Sequence, residues 1–274
     1  MFLNRQIFFK TDEEIALMRE SNLIVSKTLA YAATLLKPGV TGKFIDAAAE
    51  TFIRDHGGKP AFKGYRGFPS SLCISYNDIV VHGIPSDREF VEGDIVSIDC
   101  GVELNGFFGD AAFTFAMVGA EEPVMELLRV TYRALLLAID KAVEGNRIGD
   151  ISHAVQRYCE KEHGYGVVRE LVGHGIGRSL HEQPDVPNYG YAGKGILLKE
   201  GLTIAIEPMV NLGKREVFQA RDGWTIHSKD RKPSAHFEHS VAVRKKKAEI
   251  LSDHSFLHES IKNNDFLLEV SPKS

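Results

Sequence analysis

The chain carries one pattern twice. VEGDIVSID, ending at Asp99, returns as KEGLTIAIE, ending at Glu207. HGI occurs at His82 and again at His174, and RDHG around His56 is echoed by KEHG around His163. The order of elements between these landmarks repeats as well: a long helix, a shorter helix, a glycine-rich stretch, then strands. A duplication on this scale implies two similar units packed about a pseudo-twofold axis, each covering apolar surface the other cannot bury alone. The half-repeats run from about 11 to 118 and from 121 to 243.

The first half opens on a capping box, Thr11 with Glu14, followed by Ile15, Met18, Val25, Leu29 and Leu36 at helical spacing. A second helix is expected from about Thr41 to His56, with Phe44, Ile45, Ala48 and Phe52 on its apolar side and Gly57-Gly58 ending it. CISYNDIVVHGIP reads as two short strands around Asn77-Asp78. In the second half, helices are expected from Glu121 to Gly145 and from Ile148 to His163, the latter ended by Gly164.

Within the first copy, EGDIVSIDCGVELNGFFGDAAFTF reads as a hairpin, because Asn105-Gly106 is the strongest short-range turn signal. That turn sets Gly101 against Asp110 and Asp99 against Ala112, so both acids share a sheet face. Two carboxylates so close repel unless a cation lies between them. An Asp on a solvent-facing hairpin would look the same, and the hairpin alone does not separate the readings. The second copy supplies Glu207, a hairpin signal at Asp222-Gly223, and Glu238 within AHFEHSVAV. Four carboxylates and an HGI histidine therefore converge on one interface.

Glu, Asp and His suit divalent first-row metals, and the absence of cysteine from the set argues against a structural zinc knot. Four carboxylates are too much charge for one divalent ion; two ions about 3.5 to 4 Å apart, sharing a water, balance it better and point to hydrolysis. Taken singly, His82 and His174 each read better as turn histidines bonded to nearby backbone than as functional groups, and His181 lies too far along a loop to share the rigid spacing of His174. GHGIG imitates a dinucleotide fingerprint, but Pro184 and Pro187 follow where a helix should begin.

Composition removes other classes. A net charge of -4 and a pI near 6.3 give no basic footprint for nucleic acid. The three cysteines, Cys73, Cys100 and Cys159, have neither CxxC spacing nor an even count, which favours a reducing compartment. No stretch reads as a signal peptide or a bilayer span, so a cytoplasmic location is expected.

The segments CISYNDIVVHGIP, EGDIVSIDCGVELNGFFGDAAFTF, GHGIGRSLHEQP, IAIEPMV, DGWT and HFEHSVAV together resemble the type I methionine aminopeptidases, over about Glu13 to Val243. The resemblance implies an α+β pita-bread fold: two pseudo-symmetric halves, each with two helices and antiparallel strands, around a central dinuclear metal site. Residues 1–250 would form the catalytic domain and 251–274 a C-terminal tail, whose text permits either a packed helix or a loose end. The implied metal ligands are Asp99, Asp110, His174, Glu207 and Glu238, holding two divalent ions of cobalt, manganese, iron or zinc. Glu207 would also shuttle the proton. His82 and His181 would contact substrate, and a metal-bridged hydroxide would attack the scissile carbonyl.

The methionine side chain would lie against Tyr65, Phe68, Cys73, Leu180 and Trp224, with Phe62 expected to be ordinary core. A monovalent cation is implied near Asn77, Ile79 and Ser234. Leu180 stands where many relatives carry Phe, and Arg66 where many carry His. Too few residues separate Glu207 from Glu238 for the helical insertion of type II enzymes, and the chain starts at the first helix without the zinc-binding extension of eukaryotic cytosolic forms. The implied activity is removal of the initiator methionine from nascent proteins with a small second residue. Nascent N-termini at the ribosome would be the partners, with no direct nucleic acid, no membrane and a monomeric enzyme. An Xaa-Pro aminopeptidase and a non-catalytic binding protein on the same fold are the competing readings.

Overall fold

The computed structural model describes residues 6–272. The first half opens with α1 (Asp12–Leu35), whose Thr11 hydroxyl accepts the Glu14 amide at 3.3 Å while the Glu14 carboxylate accepts the Thr11 amide at 3.0 Å. The chain then turns into α2 (Gly42–Asp55), capped by Thr41. Phe44, expected on the apolar side, is 55% exposed. The buried stripe is Ile45, Ala49 and Ile53, and Phe44 stands one residue, about 100°, away from it.

Five strands follow: β1 (Lys59–Pro60), β2 (Leu72–Tyr76), β3 (Ile79–Val81), β4 (Ile95–Leu104) and β5 (Phe107–Met117). The last two form the expected hairpin, with Asn105 and Gly106 at φ 53 and 77, the left-handed pair that a two-residue turn requires. Its register pairs Gly101 with Asp110 and Asp99 with Ala112.

The second half repeats the layout with α3 (Glu122–Ile139) and α4 (Ile148–Gln156), the latter continuing as a wider-wound turn over Arg157–Glu162. Its strands are β6 (Gly166–Val167), β7 (Gly173–Gly175), β8 (Glu182–Val186), β9 (Thr203–Ile206), β10 (Met209–Asn211), β11 (Val217–Gln219), β12 (Ile226–Ser228), β13 (Ser234–His236), β14 (His239–Ala242) and β15 (Glu249–Ile250). The chain closes with α5 (Ser255–Lys262) and β16 (Leu267–Leu268).

The two main sheets correspond. In one, β4 lies between β2 and β5, with β16 on the far edge; in the other, β9 lies between β7 and β14, with β15 on the far edge. The second sheet breaks where its acids stand. The ladder of β9 with β14 stops at Ile206 and His239 and resumes between β10 and β13 at Met209 and His236. Glu207-Pro208 and Phe237-Glu238 fill the gap, and the freed Glu238 amide donates to the Ala112 carbonyl on β5 at 2.9 Å. The break thus joins the two sheets, with one acid pair from each half at the seam. Of the two states open to the C-terminal stretch, the structure holds the packed one. Leu257 and Ile261 of α5 are buried in the main core, and both Ala33 and Leu36 at the end of α1 receive a hydrogen bond from Asn264 at 2.8 Å.

Candidate active site

The acids meet in a cavity of about 280 Å³, which Asp99, Asp110, His174, Glu207 and Glu238 all line. Each is placed by backbone. Asp110 is clamped by Ser240, whose hydroxyl donates to its carbonyl at 2.7 Å and accepts its amide at 3.3 Å. Glu207 and Glu238 occupy the ladder break. His174 sits in mid-strand between two glycines that leave no room for a side chain: a Cβ on Gly173 would overlap the Ala205 carbonyl oxygen, and one on Gly175 that of Gln183. The His174 Nδ1–H donates to the Gly175 carbonyl at 2.9 Å, which leaves the Nε2 lone pair free to face Asp110 at 3.8 Å and Glu207 at 3.6 Å.

Burial raises the pKa of every acid in the cluster. Asp99 and Glu207 are each pushed up to about 7, and Asp110 and Glu238 well above the usual carboxylate range, the repulsion of neighbouring acids adding to desolvation for the latter two. Asp99 Oδ1, Asp110 Oδ1 and Glu238 Oε1 are buried with no hydrogen-bond partner in the protein. Suitable ligand atoms of Asp110, His174 and Glu238 lie within 4.8 Å of one another. Hard oxygen donors and one imidazole, crowded together with unused lone pairs, fit divalent cations and little else.

Beside the acids lies an apolar pocket. Phe62, Phe68, Cys73 and Leu180 are buried together, with Tyr65 and Trp224 packed against them. Phe62, expected to be core, both packs there and lines the cavity; its place depends on Gly101, where a Cβ would come 2.6 Å from the Phe62 ring. Cys73 pairs with Asp99 across β2 and β4, which puts the thiol beside the acids. Trp224 is carried by the loop of the β11–β12 hairpin. That loop is longer than the two residues of Asp222-Gly223, and the Asp222 carboxylate shapes it by accepting the Trp224 and Thr225 amides at 2.8 and 2.9 Å. Trp224 meets Phe68 edge-on at 5.2 Å.

Two histidines besides His174 stand at the cavity. His82 has a left-handed backbone (φ 57), and Gly83 after it lies so close to the Ile74 carbonyl that a Cβ there would overlap it. Burial lowers the His82 pKa to about 4, with His236 adding to the effect. His181 bonds the Tyr65 hydroxyl through Nδ1 at 2.9 Å, and its ring centre is 4.1 Å from that of His174. Although the residue is exposed at the cavity mouth, desolvation of the ring against its neighbours, followed by His174 and Arg66, lowers its pKa to about 3. Both rings are therefore neutral near pH 7. Arg66 lies at the rim with its guanidinium 5.3 Å over the Tyr65 ring. Of Asn77, Ile79 and Ser234, two are bonded directly, the Asn77 carbonyl accepting the Ser234 amide at 2.9 Å, while Ile79 pairs with His227.

One neighbour escaped sequence reasoning. His236 points Nε2 at Glu207 Oε2 from 3.5 Å and is buried. AHFEH places it two residues from Glu238, but the ladder breaks between them, so strand parity could not assign it to the site.

The sequence model of metallopeptidase family M24 matches residues 16–245, and the chain belongs to this family, whose pita-bread fold it has. More narrowly, it is 48% identical over 246 residues to the methionine aminopeptidase of Clostridium perfringens, covering 90% of this chain and 98% of that protein. It is 45% identical over 246 residues to methionine aminopeptidase 1 of Bacillus subtilis, covering 90% and 99%. The solved methionine aminopeptidase from Rickettsia prowazekii matches with a TM-score of 0.89 and 38% identity, over 90% of this chain and all of that one. Prolidase from Pyrococcus furiosus, at 24% identity and a TM-score of 0.74 over 89% of this chain and 65% of that one, shares the fold.

Proposed function

We propose that the chain is a metal-dependent methionyl aminopeptidase that removes the initiator methionine from nascent polypeptides whose second residue is small. The observation that carries this reading is the joining, in one cavity, of a buried acid cluster with unused lone pairs to an apolar pocket. Asp99, Asp110, His174, Glu207 and Glu238 would hold the divalent cations, two on grounds of charge balance. When bound, these cations supply an acidified water and polarise a carbonyl oxygen.

The remaining work falls to the protein. Phe68, Cys73, Leu180 and Trp224, with Tyr65 and Phe62 at the sides, accept an unbranched thioether, and a soft sulfur gains from aromatic edges. His82 and His181, being neutral, donate hydrogen bonds toward the substrate carbonyl and the charge that develops on it without bringing a positive charge of their own. Glu207 carries a proton from the nucleophile to the leaving amine through a carboxylate oxygen, with His236 alongside to accept or donate a bond. A monomer acting on nascent chains in the cytoplasm suits this chemistry; a monovalent cation near Asn77, Ile79 and Ser234 belongs to the same reading. Among the described residues, no helix is long and apolar enough to cross a membrane.

The test is release of the N-terminal residue from Met-Gly-Met, Met-Leu-Leu and an Xaa-Pro peptide by chelated protein, before and after manganese or cobalt is returned. Activity restored by metal on the first peptide alone is expected. Release from the Xaa-Pro peptide would favour the prolidase-like reading, and silence on all three with metal bound would favour a binding protein.

A further inference from the structure

Lys10, just ahead of α1, and Glu182, at the start of β8, form an ion pair with side chains only 4% and 6% exposed. The Lys10 ammonium also donates to the Phe8 carbonyl at 3.4 Å. The second Glu182 oxygen accepts the Arg178 amide at 2.8 Å and the Ser179 amide at 3.1 Å. One buried carboxylate thus ties down the turn from Gly177 to Ser179. The Lys10 stem fills the space over Gly177, where a Cβ would overlap it, and the Lys10 amide donates to the Gly201 carbonyl at 2.7 Å. From the outer side, Arg178 pairs with Glu14 of α1 at 2.9 Å.

The two residues that follow this turn reach the cavity: Leu180 in the apolar pocket, and His181 against Tyr65 and His174. Neither Lys10 nor Glu182 lines that cavity. A buried charge pair costs desolvation, and removing one partner strands the other, so the turn's geometry depends on both. We propose that Lys10 and Glu182 form a positioning clamp that sets His181 for catalysis, making the segment before α1 part of the catalytic apparatus without touching substrate. The inference rests on the proposed peptidase activity and on His181 meeting substrate.

The test is a double-mutant cycle on full-length, manganese-loaded protein, reading kcat and KM for Met-Gly-Met together with manganese affinity by calorimetry. K10M is expected to lower kcat about 10- to 100-fold, the scale of a misplaced catalytic group, with manganese affinity unchanged. In an H181A background the same substitution should cost almost nothing further in kcat, because the group it positions is gone. A role confined to stability would leave the two effects independent. E182Q provides a second arm, with the loss read on the folded, manganese-binding fraction if K10M folds poorly. An unchanged kcat in K10M and E182Q, or the same K10M factor with and without His181, would overturn the clamp while leaving the peptidase reading intact. Wild-type kcat in H181A would overturn both the clamp and the role of His181.

Discussion

Glu238 and Asp110 are carboxyls held out of water beside other carboxyls, and the metal-free protein bears the cost. Because the folded pKa of Glu238 lies well above its ordinary value of 4.5, the native state binds the proton more tightly than the unfolded chain. Its contribution to stability is therefore lost as pH rises from about 4.5 through the folded pKa. His82 and His181 act in the opposite sense: their lowered pKa values, about 4 and 3, make the unfolded chain the better proton binder below about 6.5. A difference between two proteins cancels that part. In chelator, Glu238→Gln is expected to melt higher than the wild type, by a margin that widens from pH 5 to pH 8 in calorimetric scans. Adding manganese should reverse the order, since the wild type gains stability by binding and the variant loses a ligand. For His82→Ala, kcat should fall by about 10²-fold or more while metal content stays constant; an unchanged kcat would reduce the residue to a turn histidine.

At the scale of elements, the glycines separate into those that make room and those that only bend the chain. Gly175 lies against the Gln183 carbonyl and Gly83 against that of Ile74, and rigid backbone cannot move aside for a methyl group. Gly175→Ala should therefore part β7 from β8, shift His174 and weaken manganese binding as well as thermal stability. Gly106→Ala has open space around it and a φ of 77, so it should cost only the left-handed penalty of about 1 to 2 kcal/mol and leave manganese affinity as it was. Gly101→Ala falls between these cases. Its methyl meets a ring that can turn, and Phe62 pushed into the pocket should raise KM for Met-Gly-Met more than it lowers kcat.

At the scale of the molecule, the C-terminal stretch is a working part of the first half. β16 pairs with the end of β5 at Ala116 and Met117, α5 buries Leu257 and Ile261 against the core, and the Asp253 amide donates to the Ser26 hydroxyl of α1 at 2.8 Å. Leu257→Ala should cost about 2 to 5 kcal/mol, as large-to-small changes in packed cores do. If the stretch belongs to the same cooperative unit, denaturant unfolding of that variant should remain a single transition with a lower midpoint.

The repeat, the hairpin register and the acid positions were legible in the sequence because each rests on a local rule. A two-residue turn fixes which residues pair, parity fixes which acids share a face, and duplication fixes that a second acid pair answers the first. Phe44 and His236 mark the limit. Helical spacing allows Phe44 or Ile45 to face inward, and packing chose the stripe of Ile45, Ala49 and Ile53, leaving Phe44 exposed. His236 gains its meaning only at the ladder break, where a strand leaves one sheet for another. The clamp of Lys10 on Glu182 lies still further from local rules, joining residues 172 positions apart. Local chemistry determined which residues could act; only tertiary packing decided which were buried together, because desolvation and charge pairing act through space rather than along the chain.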